Sequence, residues 1–96
     1  MRRAARIDAN QPDIVKALRR VGCHVQPLHT VGQGCPDLLV CTPRGRLLLL
    51  EVKDGSKPPS ERVLTPEQVI WHAAWRRAPV YVVLNTREAV TICLAH

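Results

Sequence analysis

Two carboxylates and one amine in this chain could act together on an anionic substrate. Asp37 and Glu51 are separated by thirteen residues, and Lys53 follows two positions after Glu51. If the two acids come into contact, their charges repel, and a cation must compensate. Mg²⁺ suits such a place, because it binds one or two carboxylates and completes its shell with water and substrate phosphate. The metal would polarise a phosphodiester and the ammonium would offset developing charge, so this set of residues favours phosphodiester hydrolysis.

The same three residues have a structural interpretation. Lys53 could neutralise Asp37 and Glu51 in an ion network that binds no substrate. Residue types and spacing alone leave both interpretations open.

A predicted β-hairpin is the element that brings the two acids together. Residues 38–42 and 46–52 are rich in Val and Leu, and residues 43–45 between them suit a three-residue loop that ends on a left-handed glycine. This loop gives a register in which Asp37 lies opposite Glu51, and the two-residue period of a strand puts Lys53 on the same face as Glu51. Both faces of the hairpin are apolar, so we expect central strands that are covered on both sides.

Two elements are predicted before the hairpin. Asn10 can cap a helix whose apolar residues recur on one face, and Gly22 supplies a left-handed stop. An extended segment follows over about residues 23–29 and ends at the glycine-rich residues 32–34.

After the hairpin, the sequence predicts a loop, a helix, a strand and a short tail. Thr65 and Gln68 have the spacing of a capping box at the start of a helix, and that helix carries an apolar stripe that includes Val69 and Ile70. A strand over residues 80–84 would follow by a parallel crossover. The tail is ambiguous between helix and strand, and Thr86 as a cap favours a helix.

Composition and charge narrow the class of protein. The chain has 96 residues and 46% apolar content, which is enough for one aliphatic core, so we expect a single domain over residues 1–96. No apolar run is long enough to span a membrane, and the basic start has no apolar stretch behind it, so we expect a cytoplasmic protein. A formal charge of +6 favours a nucleic-acid partner, although a plain solvated basic surface would give the same value.

The four cysteines show no spacing typical of a zinc or redox site. We therefore expect free, buried thiols. They are Cys23, Cys35, Cys41 and Cys93.

Three segments of the sequence resemble a known nuclease family. Pro36-Asp37 followed by Glu51-Val52-Lys53 resembles the PD-(D/E)xK nuclease motif. Together with the surrounding residues, the resemblance extends to the stand-alone VRR-NUC (virus-type replication-repair nuclease) domain of phages, over about residues 8–84. The segments that carry it are Gly34 to Val40, Leu50 to Gly55 and Leu64 to Gln68. The resemblance implies an α/β, restriction-endonuclease-like fold with an αβββαβ core and a mixed sheet.

The resemblance also implies roles for individual residues. Asp37, Glu51 and the backbone carbonyl of Val52 would hold Mg²⁺ or Mn²⁺, and Lys53 would be the catalytic lysine. Gln68 matches a glutamine of many relatives and would face the site as a further catalytic residue, although a helix-capping amide is an equally good interpretation.

The first helix departs from the family pattern. Relatives often supply an acid from this helix, and here Gln11 is the nearest match. Its amide oxygen could still be a metal ligand, but Asp13 or no protein ligand at all remain possible.

Several other residues could contact DNA or a second subunit. Single histidines such as His29 and His72 have no partner at ligand spacing, so ordinary polar roles are expected for them. Trp71 and Trp75 lie one helical turn apart, which favours a subunit interface. The residues expected to contact DNA are Gly34, Arg44, Arg46, Lys57 and Arg62.

The resulting hypothesis is a Mg²⁺- or Mn²⁺-dependent DNA endonuclease. Like small relatives that resemble Holliday-junction resolvases, it would act on branched or duplex DNA as a homodimer. It would be a phage protein in the cytoplasm of the bacterial host, and it would need no small-molecule cofactor beyond the metal. Two alternatives are a non-catalytic DNA-binding module and a nuclease subunit that needs a partner protein.

Overall fold

The computed structural model describes residues 7–96, and these residues form helices on both sides of one four-stranded sheet. None of the helices in this range is long and apolar enough to cross a membrane. The predicted α/β class and the order of the elements are confirmed. These elements are α1 (Gln11–Arg20), β1 (His24–Pro27), β2 (Leu38–Cys41), β3 (Leu47–Val52), a 3₁₀ turn (Pro59–Glu61), α2 (Pro66–Ala74), β4 (Val80–Val83) and α3 (Thr86–Leu94).

The sheet is mixed and follows the order β1-β2-β3-β4. The first three strands are antiparallel neighbours, and β4 pairs with β3 in parallel. At the hairpin turn, the Thr42 amide donates to the Arg46 carbonyl at 2.8 Å, and Gly45 has a φ of +82°. The resulting pairing of Leu39 with Leu49 is the register predicted from the loop.

The core lies on the face of the sheet that α1 and α3 cover. Alternate residues of each strand point to this face, because the side-chain period of a strand is two. The buried apolar residues are Ile14 and Leu18 of α1, Cys23, Leu38 and Val40 of β2, Leu48, Leu50 and Val52 of β3, Val83 of β4, and Ala89 and Cys93 of α3.

The opposite face of the sheet is only partly covered, so the expectation of hairpin strands covered on both sides is confirmed at Glu51 and wrong at Leu47. Leu47 is 61% exposed and Val82 is 40% exposed, both on this second face. Helix α2 reaches the face at Glu51. The helix therefore protects the acidic end of the hairpin and leaves the apolar remainder open.

Three helix details differ from the sequence interpretation. Asn10 occupies the N-cap position of α1, but its side chain makes no capping bond. Asn85, and not Thr86, caps α3, because its Oδ1 accepts from the Glu88 amide at 2.9 Å. The apolar stripe of α2 faces outward, with Ile70 71% exposed, since the inner face of this helix carries polar residues.

All four cysteines are free thiols, as predicted. Cys23 and Cys93 are buried, whereas Cys35 and Cys41 are partly exposed. Burial raises the pKa of the Cys93 thiol to about 12, so this group is neutral and acts as a small apolar residue of the core.

Candidate active site

The hairpin brings Asp37 and Glu51 into contact at its open end. Asp37 directly precedes β2, and its Oδ2 accepts a hydrogen bond from the Val52 amide at 2.7 Å. The Asp37 carbonyl accepts from the Leu28 amide at 2.7 Å, which fixes the backbone on its other side. Glu51 is 1% exposed, so it is a carboxyl group inside the protein.

The surroundings of Glu51 disfavour its charged form. Burial raises the pKa of Glu51 to about 9, and a hydrogen bond with the Asp37 side chain and the negative charge of Asp37 add to this effect. The positive charge of Lys53 opposes it. Burial beside a second acid therefore favours the neutral, protonated form of Glu51.

Helix α2 supports the acidic pair through Gln68. The Thr65 Oγ1 accepts from the Gln68 amide at 3.2 Å, and the Gln68 Oε1 accepts from the Thr65 amide at 2.9 Å, which completes a capping box. The same Oε1 accepts from the Nζ of Lys53 at 2.8 Å, while the Gln68 Nε2 donates to the Glu51 Oε2 at 3.2 Å. The two interpretations of Gln68 are therefore compatible, since one side chain caps the helix and faces the acids.

His72 also contacts Glu51, a role that its isolated position in the sequence does not indicate. Its Nε2 lies 3.1 Å from the Glu51 Oε1. Burial lowers the pKa of His72, and the positive charge of Lys53 adds to this effect. One signal could have found it: His72 follows Gln68 by four residues, so both lie on the same face of α2.

The start of α1 is attached to the end of β3. The Asn10 Nδ2 donates to the carbonyls of Lys53 and Leu84, both at 3.1 Å. The next residue, Gln11, is 3% exposed, and its Oε1 is buried with no hydrogen-bond partner among the described residues, as is the Oδ1 of Asn10. Asp13 is exposed. The buried oxygens at this helix start thus belong to Asn10 and Gln11 and not to Asp13.

Asp8 is a further acid near the site that the sequence analysis does not single out. Burial raises the pKa of its carboxyl, the positive charge of Lys53 opposes this, and the negative charge of Asp37 adds to it. Asp8 precedes α1 and has no position in the motif, so only the folded chain shows that it lies near Lys53 and Asp37.

The comparison with solved structures identifies the family. A structure described as "VRR_NUC domain" matches with a TM-score of 0.65 and 31% sequence identity over 90% of each chain. The chain belongs to the VRR-NUC domain family. No family model matches the sequence. No curated protein matches it either. The resemblance that three short segments indicate is thus confirmed by the fold.

The residues of this VRR-NUC domain that were expected to contact DNA lie in two separate regions. Gly34 packs against α2, where a Cβ would collide with the Glu67 carbonyl. Lys57 is close enough to Asp8 for its charge to act on that carboxyl, and its carbonyl accepts from the Arg62 Nε at 2.8 Å. Gly34, Lys57 and Arg62 therefore lie in the region of Asp37 and Glu51, at the open end of the hairpin.

The second region is the turn of the hairpin, which carries Arg44 and Arg46. Arg46 precedes Glu51 by five residues along β3, which is about 17 Å at the rise of a strand. The two arginines therefore lie beyond the reach of a phosphate that contacts Glu51.

The donor set of the VRR-NUC domain fits a hard divalent cation. Among residues 7–96, no three His, Cys, Asp or Glu side chains are arranged as a ready metal cage. The acids instead provide two carboxyl groups in contact, Asp37 and Glu51. The start of α1 adds buried amide oxygens on Asn10 and Gln11 that have no hydrogen-bond partner among the described residues. Mg²⁺ typically binds through one or two carboxylates and retains several waters, so it suits this sparse set of oxygens.

Proposed function

We propose that this VRR-NUC domain is a Mg²⁺- or Mn²⁺-dependent endodeoxyribonuclease that hydrolyses phosphodiester bonds. The observation that carries the proposal is the contact between Asp37 and the buried Glu51, which holds two acids together in an arrangement that a divalent cation would stabilise. A structural ion network would instead place Lys53 on the acids, but the described partner of its Nζ is the Gln68 amide.

The residues that would hold the metal are Asp37, Glu51, the Val52 carbonyl and Gln11. Once bound, the cation would polarise the phosphate and lower the pKa of a coordinated water. Gln11 is supported as the ligand from the first helix by its match to the family's acid and by its buried oxygen, which has no hydrogen-bond partner among residues 7–96. A neutral amide in place of an acid would leave the site with less negative charge.

Lys53 and Gln68 are the proposed catalytic residues outside the metal ligands. The ammonium of Lys53 would stabilise negative charge that develops on the phosphate during attack by water. Its Nζ is held by Gln68 and its carbonyl by Asn10, so both ends of the residue are anchored. This anchoring supports Lys53 as an oriented group.

The proposed substrate is branched or duplex DNA. The net charge of +6 supports binding to a phosphate backbone. Lys57, Arg62 and the backbone at Gly34 would contact phosphates beside the site, whereas Arg44 and Arg46 would contact phosphates farther along. Two separated contact regions suit recognition of DNA shape.

We further propose that the chain acts as a homodimer through the outer face of α2. Ile70 is 71% exposed and Trp75 is 50% exposed, and Trp71 and Trp75 stack with their ring centroids 4.7 Å apart. An apolar face of this kind is typical of an interaction surface. As a single-domain phage nuclease, the dimer would act in the cytoplasm of the bacterial host.

Cleavage assays with purified protein test the proposed function. Wild type, Asp37→Ala and Lys53→Ala would be incubated with linear, flap and four-way DNA in Mg²⁺, Mn²⁺ or EDTA. We expect cleavage by wild type only, and only with metal. Equal cleavage by all three proteins would indicate a contaminating nuclease. DNA binding in EDTA without cleavage of any substrate would favour the non-catalytic module, and cleavage only with an added protein would favour the partner-dependent subunit.

A further inference from the structure

Each oxygen of the Glu51 carboxyl has its own partner on α2. The Nε2 of His72 lies 3.1 Å from Oε1, and the Nε2 of Gln68 lies 3.2 Å from Oε2. The two side chains can reach one carboxyl because they are four residues apart and project from the same face of the helix.

Hydrogen bonds to both oxygens restrict the Glu51 carboxyl more than a bond to one oxygen would. A carboxyl held at a single oxygen still rotates about its last bond, whereas partners on both oxygens fix its plane. Because Glu51 is 1% exposed, bulk water cannot take the place of either partner. Each carboxylate oxygen keeps a further lone pair, so the bonds from α2 leave Glu51 able to bind a cation.

The side chain of His72 is largely enclosed and restrained by its neighbours. Helix α2 has no fully buried residue, and the side chain of His72 is 17% exposed. The ring meets Trp71 edge-on at a centroid distance of 5.8 Å, which restrains its orientation. His72 is therefore a restrained polar group whose described hydrogen bond goes to Glu51.

We propose that His72 is a positioning residue that orients Glu51 for metal binding. This inference rests on the proposed function, since it concerns the same site. It does not require a charged ring, because Nε2 carries a hydrogen both in the imidazolium and in one neutral tautomer. Partners that orient a metal ligand typically change metal affinity by about 10-fold to 100-fold when they are removed.

Calorimetric titration with Mn²⁺ alone, without DNA, tests the inference on four intact proteins. His72→Leu keeps a side chain of similar bulk but removes the donor, and His72→Gln can place an amide nitrogen near the position of Nε2. His24→Leu is the matched control, since His24 is exposed on β1 and contacts none of the acids in the described structure. Thermal unfolding in EDTA would be recorded for each protein.

We expect His72→Leu to bind Mn²⁺ about tenfold or more weakly than wild type, and His72→Gln and His24→Leu to bind within about threefold of it. A merely structural role would lower the unfolding temperature of His72→Leu and leave its Mn²⁺ affinity unchanged, which would overturn the inference. A loss of Mn²⁺ affinity of about tenfold or more in His72→Gln would also overturn it, because this variant keeps a donor near Nε2. His72→Gln therefore keeps the inference falsifiable even if His72→Leu does not fold. Wild type that takes up no Mn²⁺ would overturn the proposed function as well, so the two failures are distinguishable.

Discussion

The Nζ of Lys53 lies 2.8 Å from the Oε1 of Gln68, and this oxygen also accepts the backbone N–H of Thr65. One amide oxygen thus joins the start of α2 to the lysine of the nuclease motif. Formation of the first turn of the helix and placement of the lysine are therefore coupled through a single side chain.

Replacing Gln68 should impair cleavage more than replacing the other half of the capping box. Gln68→Leu removes the partner of Lys53 and one partner of Glu51, so we expect cleavage to fall by about 10-fold to 100-fold. Thr65→Ala removes only the helix cap, and we expect a loss of about 1 kcal/mol in the free energy of unfolding with cleavage within about twofold of wild type. Urea unfolding and single-turnover cleavage would measure the two effects. Equal cleavage by both variants would mean that Gln68 acts only as a cap.

The stability of the metal-free protein should fall as the pH rises. An ordinary glutamate has a pKa near 4.5, whereas burial and the contact with Asp37 raise the pKa of Glu51 to about 9. Between these values the unfolded chain binds fewer protons than the folded chain, so the free energy of unfolding decreases by at most about 1.4 kcal/mol per pH unit. Glu51→Gln cannot ionise, and its stability should change much less over this range.

Unfolding in EDTA at a series of pH values would compare the two proteins. Parallel curves for wild type and Glu51→Gln would contradict the prediction. Added Mn²⁺ should stabilise wild type, and more strongly at the higher pH values, because a carboxylate must lose its proton to bind a metal.

Gly34 and Gly32 should respond differently to alanine. Both have positive φ angles, +81° and +78°, so the backbone strain of a Cβ is similar at the two positions, about 1–2 kcal/mol. A Cβ at Gly32 meets nothing within 4 Å, whereas a Cβ at Gly34 collides with the Glu67 carbonyl. We expect Gly34→Ala to be less stable than Gly32→Ala by about 1–3 kcal/mol. Equal urea midpoints would show that α2 shifts without cost.

The two basic regions should differ in the length of DNA that they need. At about 3.4 Å per base pair, the 17 Å between Glu51 and Arg46 corresponds to about five base pairs. Lys57→Ala should therefore weaken binding to short and long duplexes alike, and the double variant Arg44→Ala and Arg46→Ala should weaken binding only to the long one. Fluorescence anisotropy in Ca²⁺ over a range of salt would measure both. Equal losses on the short duplex would contradict the separation.

The hairpin could be predicted from the sequence because its determinants are local. A three-residue loop and two aliphatic runs define the register, and the register determines that Asp37 and Glu51 meet. The capping box of α2 is local in the same sense, which is why Gln68 could be assigned to the start of that helix.

Other features of the site depend on contacts between distant parts of the chain. Asn10 has the residue type of a helix cap, but its amide is bonded to Lys53 and Leu84, which are 43 and 74 positions away. His72 and Asp8 join the site only because α2 and the start of α1 pack against β3. Neither contact leaves a signature in the sequence beyond the four-residue spacing of Gln68 and His72.

The length of the hairpin loop has a functional meaning of its own. Surface loops usually accept insertions and deletions, because their length affects little beyond solvent-exposed backbone. In this chain, adding or removing one residue among positions 43–45 would slide one strand past the other and turn Asp37 and Glu51 to opposite sides of the sheet. Homologues that keep the nuclease chemistry should therefore vary in the first two amino acids of this loop but hardly at all in the number of its residues.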